Sequence, residues 1–252
     1  MGVDDDFMNK SMLCRVLFTL LVNAIAVVNG FSQQNFFNVP SSDITPKNQI
    51  FFQQQFNALP KLFSSNTTVC YGLGKNSEIG LNVFGLTYAY NSKKMGSIGH
   101  NQQSVFPYIG INMQKQLLGY KKYSLFLGAQ TGFLTKPVDF EYYVFLNNRL
   151  VLEKFKWVVG LYVGNNNYLG IKTGNSIDLQ DLGIQLGTEY RIIEDKLFLQ
   201  VDYISGQSSF SNLILGGGYK FTKHWVLSSG FQIPNTKITS SYGLIFELTY
   251  LP

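Results

Sequence analysis

The chain has 252 residues, of which only 14% are charged and 15% aromatic, with 24 glycines and a formal net charge of +5. That length suits one large barrel or sandwich and is short for two independent domains, while so little charge would leave a soluble surface poorly solvated. Past residue 30 no apolar run approaches the roughly 20 residues of a membrane-crossing helix; mean hydropathy is nonetheless near zero, as happens when lipid-facing and water-facing residues alternate along strands.

The first segment is an export signal. Lys10 and Arg15 precede an apolar stretch over 16–28, and the small residues Gly30 and Ser32 follow it. This is the pattern of a signal peptide cleaved after Ser32; an uncleaved anchor is the competing reading, for which the apolar core is short. Met8 and Met12 serve as starts as well as Met1, because residues 2–7 add nothing to the signal. Cleavage would leave 18 basic and 12 acidic residues, a charge of +6. Cys14 departs with the signal and Cys70 remains alone, so no disulfide can form within the mature chain. Cys70 reads as a small strand residue. The sequence carries no CxxC, HExxH, P-loop or GxSxG motif, and no cofactor is expected.

Residues 33–47, with prolines at 40 and 46, read as an extended periplasmic lead-in. Twelve strand-like runs follow: 48–57, 66–74, 78–91, 105–117, 122–134, 140–152, 154–165, 177–192, 196–205, 209–221, 224–234 and 240–251. Each alternates apolar and polar residues with the period of a strand. The count could shift to ten or fourteen at the first two runs or at Asn147-Asn148, which could form a turn. Alternate links are short (75–77, 118–121, 193–195, 222–223), whereas those between them are generally longer (92–104, 166–176, 235–239). Tight turns on the periplasmic side and extended loops on the outer side give that rhythm. Aromatics gather near both strand ends: Tyr123, Trp157, Tyr190, Tyr219, Trp225 and Tyr250 at the short turns, Phe133, Tyr203, Phe231 and Tyr242 opposite.

The phase of the alternation assigns faces. Leu182, Ile184, Leu186, Tyr190 and Ile192 fall outward, so Gly183, Gln185, Gly187, Glu189 and Arg191 fall inward. The same logic places Gln200, Asp202, Lys220, Gln232 and Glu247 inside. A basic residue on the lipid face at the midplane would cost on the order of 2–4 kcal/mol. The expected lumen lining is therefore Gln185, Glu189, Arg191, Gln200, Asp202, Lys220, Gln232 and Glu247. Around Phe84-Gly85 the phase slips, and a bulge at the glycine would account for it.

These features resemble the outer-membrane β-barrel proteins of Gram-negative bacteria, in the porin-like or transporter group. The resemblance covers 48–252 and rests on alternation, link lengths, aromatic positions and the export signal. The chain ends Tyr250-Leu251-Pro252, where many such barrels end on Phe or Trp. The resemblance implies an all-β, membrane-spanning antiparallel up-and-down barrel of about 12 strands after a signal-peptide helix. Its organisation would be signal peptide 1–32, lead-in 33–47 and barrel 48–252, in the bacterial outer membrane. It further implies outer-membrane lipids, lipopolysaccharide and the barrel-assembly machinery as partners.

For function, the inward residues of both signs admit two readings: a polar constriction that passes small polar solutes, or a salt-bridged network that fills the lumen of a structural or adhesive barrel. A barrel of about twelve strands lies between filled and open cases. A barrel lipid hydrolase is the enzymatic alternative. Its candidate histidine, His100, has Ser97 and Ser104 nearby but no evident acidic partner, so no catalytic residue is assigned and the chain is read as a non-enzyme. Scattered lysines form no basic stripe, which argues against nucleic acid despite the high pI.

Overall fold

The computed structural model describes residues 35–91, 93–97, 108–133, 140–165, 169, 182–237 and 240–252. The export signal, His100 and Ser104 lie outside the described residues, as does most of the links expected at 92–104 and 166–176.

Thirteen strands are present among the described residues. They are β1 (Ile50–Ala58), β2 (Leu62–Gly74), β3 (Ser77–Ala89), β4 (Lys94–Ser97), β5 (Tyr108–Tyr120), β6 (Tyr123–Phe133) and β7 (Phe140–Val151). The remainder are β8 (Phe155–Gly164), β9 (Leu182–Ile193), β10 (Leu197–Ile204), β11 (Asn212–Lys220), β12 (Trp225–Pro234) and β13 (Gly243–Tyr250). Twelve of them form one antiparallel ring. Neighbours in sequence pair in order, β13 pairs with β1, and β3 pairs with both β2 and β5. The short β4 pairs only with β3 and extends that hairpin beyond the ring. All twelve expected strands are staves, and β7 runs unbroken through Asn147-Asn148. The sequence reading treated β4 as loop, since four residues are too few to show a period.

Closure matters because an open sheet edge in lipid would leave backbone groups without partners. The turns that make it possible are local. Lys75 and Asn76 both have positive φ (50° and 56°), the geometry of a two-residue turn whose twist matches the flanking strands. At the expected phase slip, Gly85 adopts φ 81°. Ser65 pairs with Leu86 and Thr67 with Val83, so Phe84 and Gly85 together oppose Asn66. This is a bulge of the glycine type. It turns the outward phase from Leu81 and Val83 to Tyr88 and Tyr90.

The wall is apolar outside. Val159 and Leu161 on β8 are each 53% exposed, while Val158 between the outward residues is fully buried. Exposed aromatics mark both rims. Tyr71, Tyr120, Tyr123, Trp157 and Tyr219 lie toward the short turns, and Tyr88, Tyr90, Phe231 and Tyr242 toward the long links. Rings also brace neighbouring staves, as where Phe155 lies 4.7 Å from Tyr190 and Trp225 5.2 Å from Tyr250.

Candidate functional site

The inside of the ring is occupied by the chain's own N-terminal segment. Residues 33–47 were read as an extended periplasmic lead-in; over 35–40 the chain instead bends tightly, with an Asn35–Pro40 bridge and Phe36 N donating to Val39 O, and Phe36, Phe37, Val39, Ser42 and Thr45 are each at most 1% exposed. The chain enters β1 through a reversal: Gln49 N donates to Pro46 O, Asn48 N donates to Gly72 O, and Asn48 has φ 61°. A parallel bridge from Lys47 to Gly72 marks the point where the segment turns inward. A side chain on Gly72 would collide with the carbonyls of Thr45 and Pro46, so only glycine fits there.

Two aromatic rings set the segment against two walls. Phe36 and Val39 pack with Tyr143 and Phe145 of β7, Val158 and Tyr162 of β8 and Ile204 of β10. Phe37 packs with Ile214 of β11 and Ile245 of β13. Inward glycines make the room: a Cβ on Gly187 would run into the Phe36 ring, and Cβ atoms on Gly216 and Gly230 would crowd Phe37. In the wall itself Gly128 accepts Phe145 and Gly218 accepts Phe198.

Three carboxylates meet the segment. The Oδ2 of Asp202 on β10 accepts hydrogen bonds from the backbone N–H groups of Phe37, Asn38 and Val39 at 3.0, 2.6 and 3.0 Å. Three consecutive amides converging on one oxygen form an anion-binding concavity. Glu78 on β3 accepts from Thr45 N. The third acid belongs to the segment: Asp43 pairs with Arg149 of β7 at 2.9 Å and Lys156 of β8 at 2.8 Å. Lys156 continues to Glu189 of β9 (3.5 Å), and Glu189 to Arg191 (3.5 Å). Neutral contacts complete the seating. Asn147 Nδ2 donates to Pro40 O and Ser42 Oγ, Arg149 to Ser42 O, and Gln114 Nε2 to Asp43 O.

Beside the segment, toward the short turns, lies a cavity of about 370 Å³. It brings together five of the eight residues read as lumen lining: Glu189, Arg191, Gln200, Lys220 and Glu247. The other three face inward elsewhere. Asp202 is taken up by the segment's backbone. Gln185 donates to Asn147 at 2.6 Å and accepts from the Tyr143 hydroxyl. Gln232 donates to Ser240 Oγ and Ser241 O near the long links. A smaller space of about 60 Å³, bordered by Asn38, Gln55, Thr68, Asn82 and Gln130 among others, lies on the other side of the segment.

Sequence reasoning missed Asp43, Glu78, Arg149 and Lys156. Arg149 and Lys156 were legible in principle, since each shares a phase with an inward neighbour (Asn147 and Val158). The run FEYYVFL at 140–146 hides that phase, because its inward positions 143 and 145 are themselves aromatic. His224 stacks on Tyr250 at 5.5 Å and its Nδ1 lies 2.9 Å from Leu251 O, so it ties down the last strand.

A closed ring of twelve antiparallel staves, apolar and aromatic-banded outside and polar within, defines a porin-like outer-membrane β-barrel. Two solved barrels share the fold. The chain is similar to the KdgM porin solved in complex with disordered oligogalacturonate, at a TM-score of 0.54 and 10% identity over 79% of this chain and 98% of that one. It is similar to the NanC porin at a TM-score of 0.52 and 6% identity over 81% and 100% of the two chains. No protein-family profile and no curated protein sequence matches the chain.

Proposed function

We propose that this barrel is a narrow passive channel for small polar solutes, with no enzymatic activity. The observation that carries the proposal is the cavity of about 370 Å³ lined by charges of both signs and reaching Lys196 and Leu251 at the short-turn rim. Lys156, Glu189 and Arg191 form a chain of ion pairs on one side of this cavity, and Lys220 and Glu247 line it as well. Charges taken from water destabilise unless they are paired or solvated. A solvated passage reconciles them with the fold, and both signs together favour polar over strongly charged cargo. The KdgM and NanC porins support the reading at the level of fold.

The buried segment favours a second reading, a structural or adhesive barrel whose lumen is filled. The two separate in a planar bilayer and in liposomes. A channel gives discrete conductance steps and lets a monosaccharide enter liposomes faster than a trisaccharide. A barrel that folds correctly, shown by different gel mobility before and after boiling, yet stays silent and swells no liposomes, would establish the filled reading.

A further inference from the structure

We propose that residues 35–47 form an internal gate, a segment that closes the conduit while seated and opens it by leaving its seat as a unit. The proposal rests on the channel reading and goes beyond it by assigning the closed state to named contacts.

The segment is a partition. Asn35 borders both cavities, Phe36 lies on the larger one and Phe37 on the smaller. Its two rings reach toward β7–β8 and toward β11–β13, and its residues stand between the larger cavity and the smaller one.

The segment is also built to come away. A permanent filling of a β-barrel would gain most by pairing its backbone with the wall as a further strand. Among the described residues, the only bridge between segment and wall is Lys47 with Gly72, at the end already tethered to β1. Every other polar hold given above is a side chain on one partner or the other: Asp202 to three amides, Asp43 to Arg149 and Lys156, Glu78 to Thr45. Such contacts can be exchanged for water without disturbing any strand. The turn at Pro46 and the left-handed residue Asn48 lie where the segment joins β1, which places the pivot at the short-turn rim. The larger cavity lies on that same side, so the segment has space to move into.

Cys70 is a native reporter. It is 1% exposed and lies on the same face of β2 as Gly72, against which Thr45 and Pro46 are pressed. With the segment seated, a charged methanethiosulfonate reagent should modify Cys70 slowly in the folded, detergent-solubilised barrel. A variant lacking residues 35–46 should show larger and more persistent conductance steps than the wild type, and Cys70 modification faster by more than about tenfold. Should that deletion fail to fold, the full-length pair D43N and D202N loosens both acid contacts and is expected to move the same two readouts in the same direction. A lock provides the converse. Ser42 Oγ and Asn147 Nδ2 are 3.1 Å apart, so S42C with N147C, in a C70A background, should be silent when oxidised and conduct after reduction.

Equal conductance and equal Cys70 protection with and without the segment would overturn the gate while leaving the channel reading intact. Conductance that is the same in the oxidised and reduced lock would overturn it as well. Silence of wild type and deletion alike, with Cys70 exposed only in the deletion, would remove the conduit itself, and the gate with it.

Discussion

The two walls that grip the internal segment do so with opposite chemistry. On the β7–β9 side the wall supplies cations, Arg149 and Lys156, to an acid carried by the segment. On the β10–β13 side the wall supplies the acid, Asp202, to amides carried by the segment, and Phe37 seats beside it on glycines. The difference teaches how a short irregular peptide acquires a unique orientation without pairing as a strand. Turned end for end, Asp43 would approach Asp202 and the amides would face Arg149 and Lys156, with every polar contact mismatched. The β10 contact is also the more buried: Asp202 is fully buried, whereas the Asp43 side chain is 37% exposed beside the larger cavity. The two holds should therefore differ in strength, and single substitutions can measure that difference.

The largest effect is expected at Asp202. Replacing it by alanine strips three amides, two of them buried, of their acceptor. Hydrogen bonds to a charged group contribute about 1.5–3 kcal/mol each and are not additive, so the loss should be on the order of 3–5 kcal/mol in seating the segment. Amide hydrogen exchange at residues 37–39 reads this directly. Asp202→Asn, which keeps an acceptor without the charge, should recover part of the protection. Full protection in Asp202→Ala would contradict the asymmetry.

Next comes the steric seat on the opposite side. Gly187→Val should force the Phe36 ring out of its place at a cost of about 1–3 kcal/mol, the usual penalty for overpacking a filled interior. Cys70 reactivity should rise while the boiling-sensitive gel mobility persists. Unchanged reactivity would mean that Phe36 has another rotamer available and that the β9 wall contributes little.

A smaller effect is expected at Lys156. Its ammonium joins Asp43 to Glu189 and lies 4.8 Å from the Phe36 ring centroid. Lys156→Met leaves Asp43 with Arg149 as its cation and Ser41 as a hydrogen-bond donor. Because Asp43 is partly solvated, the cost should be about 1–2 kcal/mol, between exposed and buried pairs. A double-mutant cycle of Lys156→Met with Asp43→Asn gives the coupling. A coupling as large as the Asp202→Ala effect would reverse the ranking of the two walls.

The wall was legible in the sequence because it repeats. Twelve staves and the bulge at Gly85 follow from a two-residue period read locally. The contents of the barrel were not legible for the complementary reason. Asp43 meets Arg149 and Lys156 across 106 and 113 residues of chain, and the Phe37 amide meets Asp202 across 165. Residues 33–47 have no period to reveal a buried face, and two prolines make them resemble a linker. Inward glycines such as Gly187 and Gly216 leave room for Phe36 and Phe37, but a glycine cannot indicate which ring will fill that room. Tyr143, Phe145 and Tyr162 went unread as inward residues because aromatics in a barrel are first assigned to the lipid side.

Acid provides the finest test of the Asp43 hold, because the direction of its effect there is known. Desolvation inside the barrel works to raise the Asp43 carboxyl, but Lys156 and then Arg149, with hydrogen bonds from Lys156 and Ser41, outweigh it and hold the group below the ordinary aspartate value of 3.8. A carboxyl depressed in the seated state stabilises that state fully above its free value and loses the contribution as pH falls through the seated value. The charged groups facing Asp43 are Arg149 from β7 and Lys156 from β8, with Glu189 of β9 behind Lys156. The Asp43 hold should therefore be constant from neutral pH down to about 4 and weaken only below that. Conductance recorded across this range should show no step from Asp43 above pH 4. Asp43→Asn should behave at every pH as the wild type does once that acid is protonated, with more frequent openings. A wild-type opening transition at pH 5–6 that vanishes in Asp43→Asn would show Asp43 raised rather than lowered, and with it a cation wall too weak to overcome the desolvation of its partner.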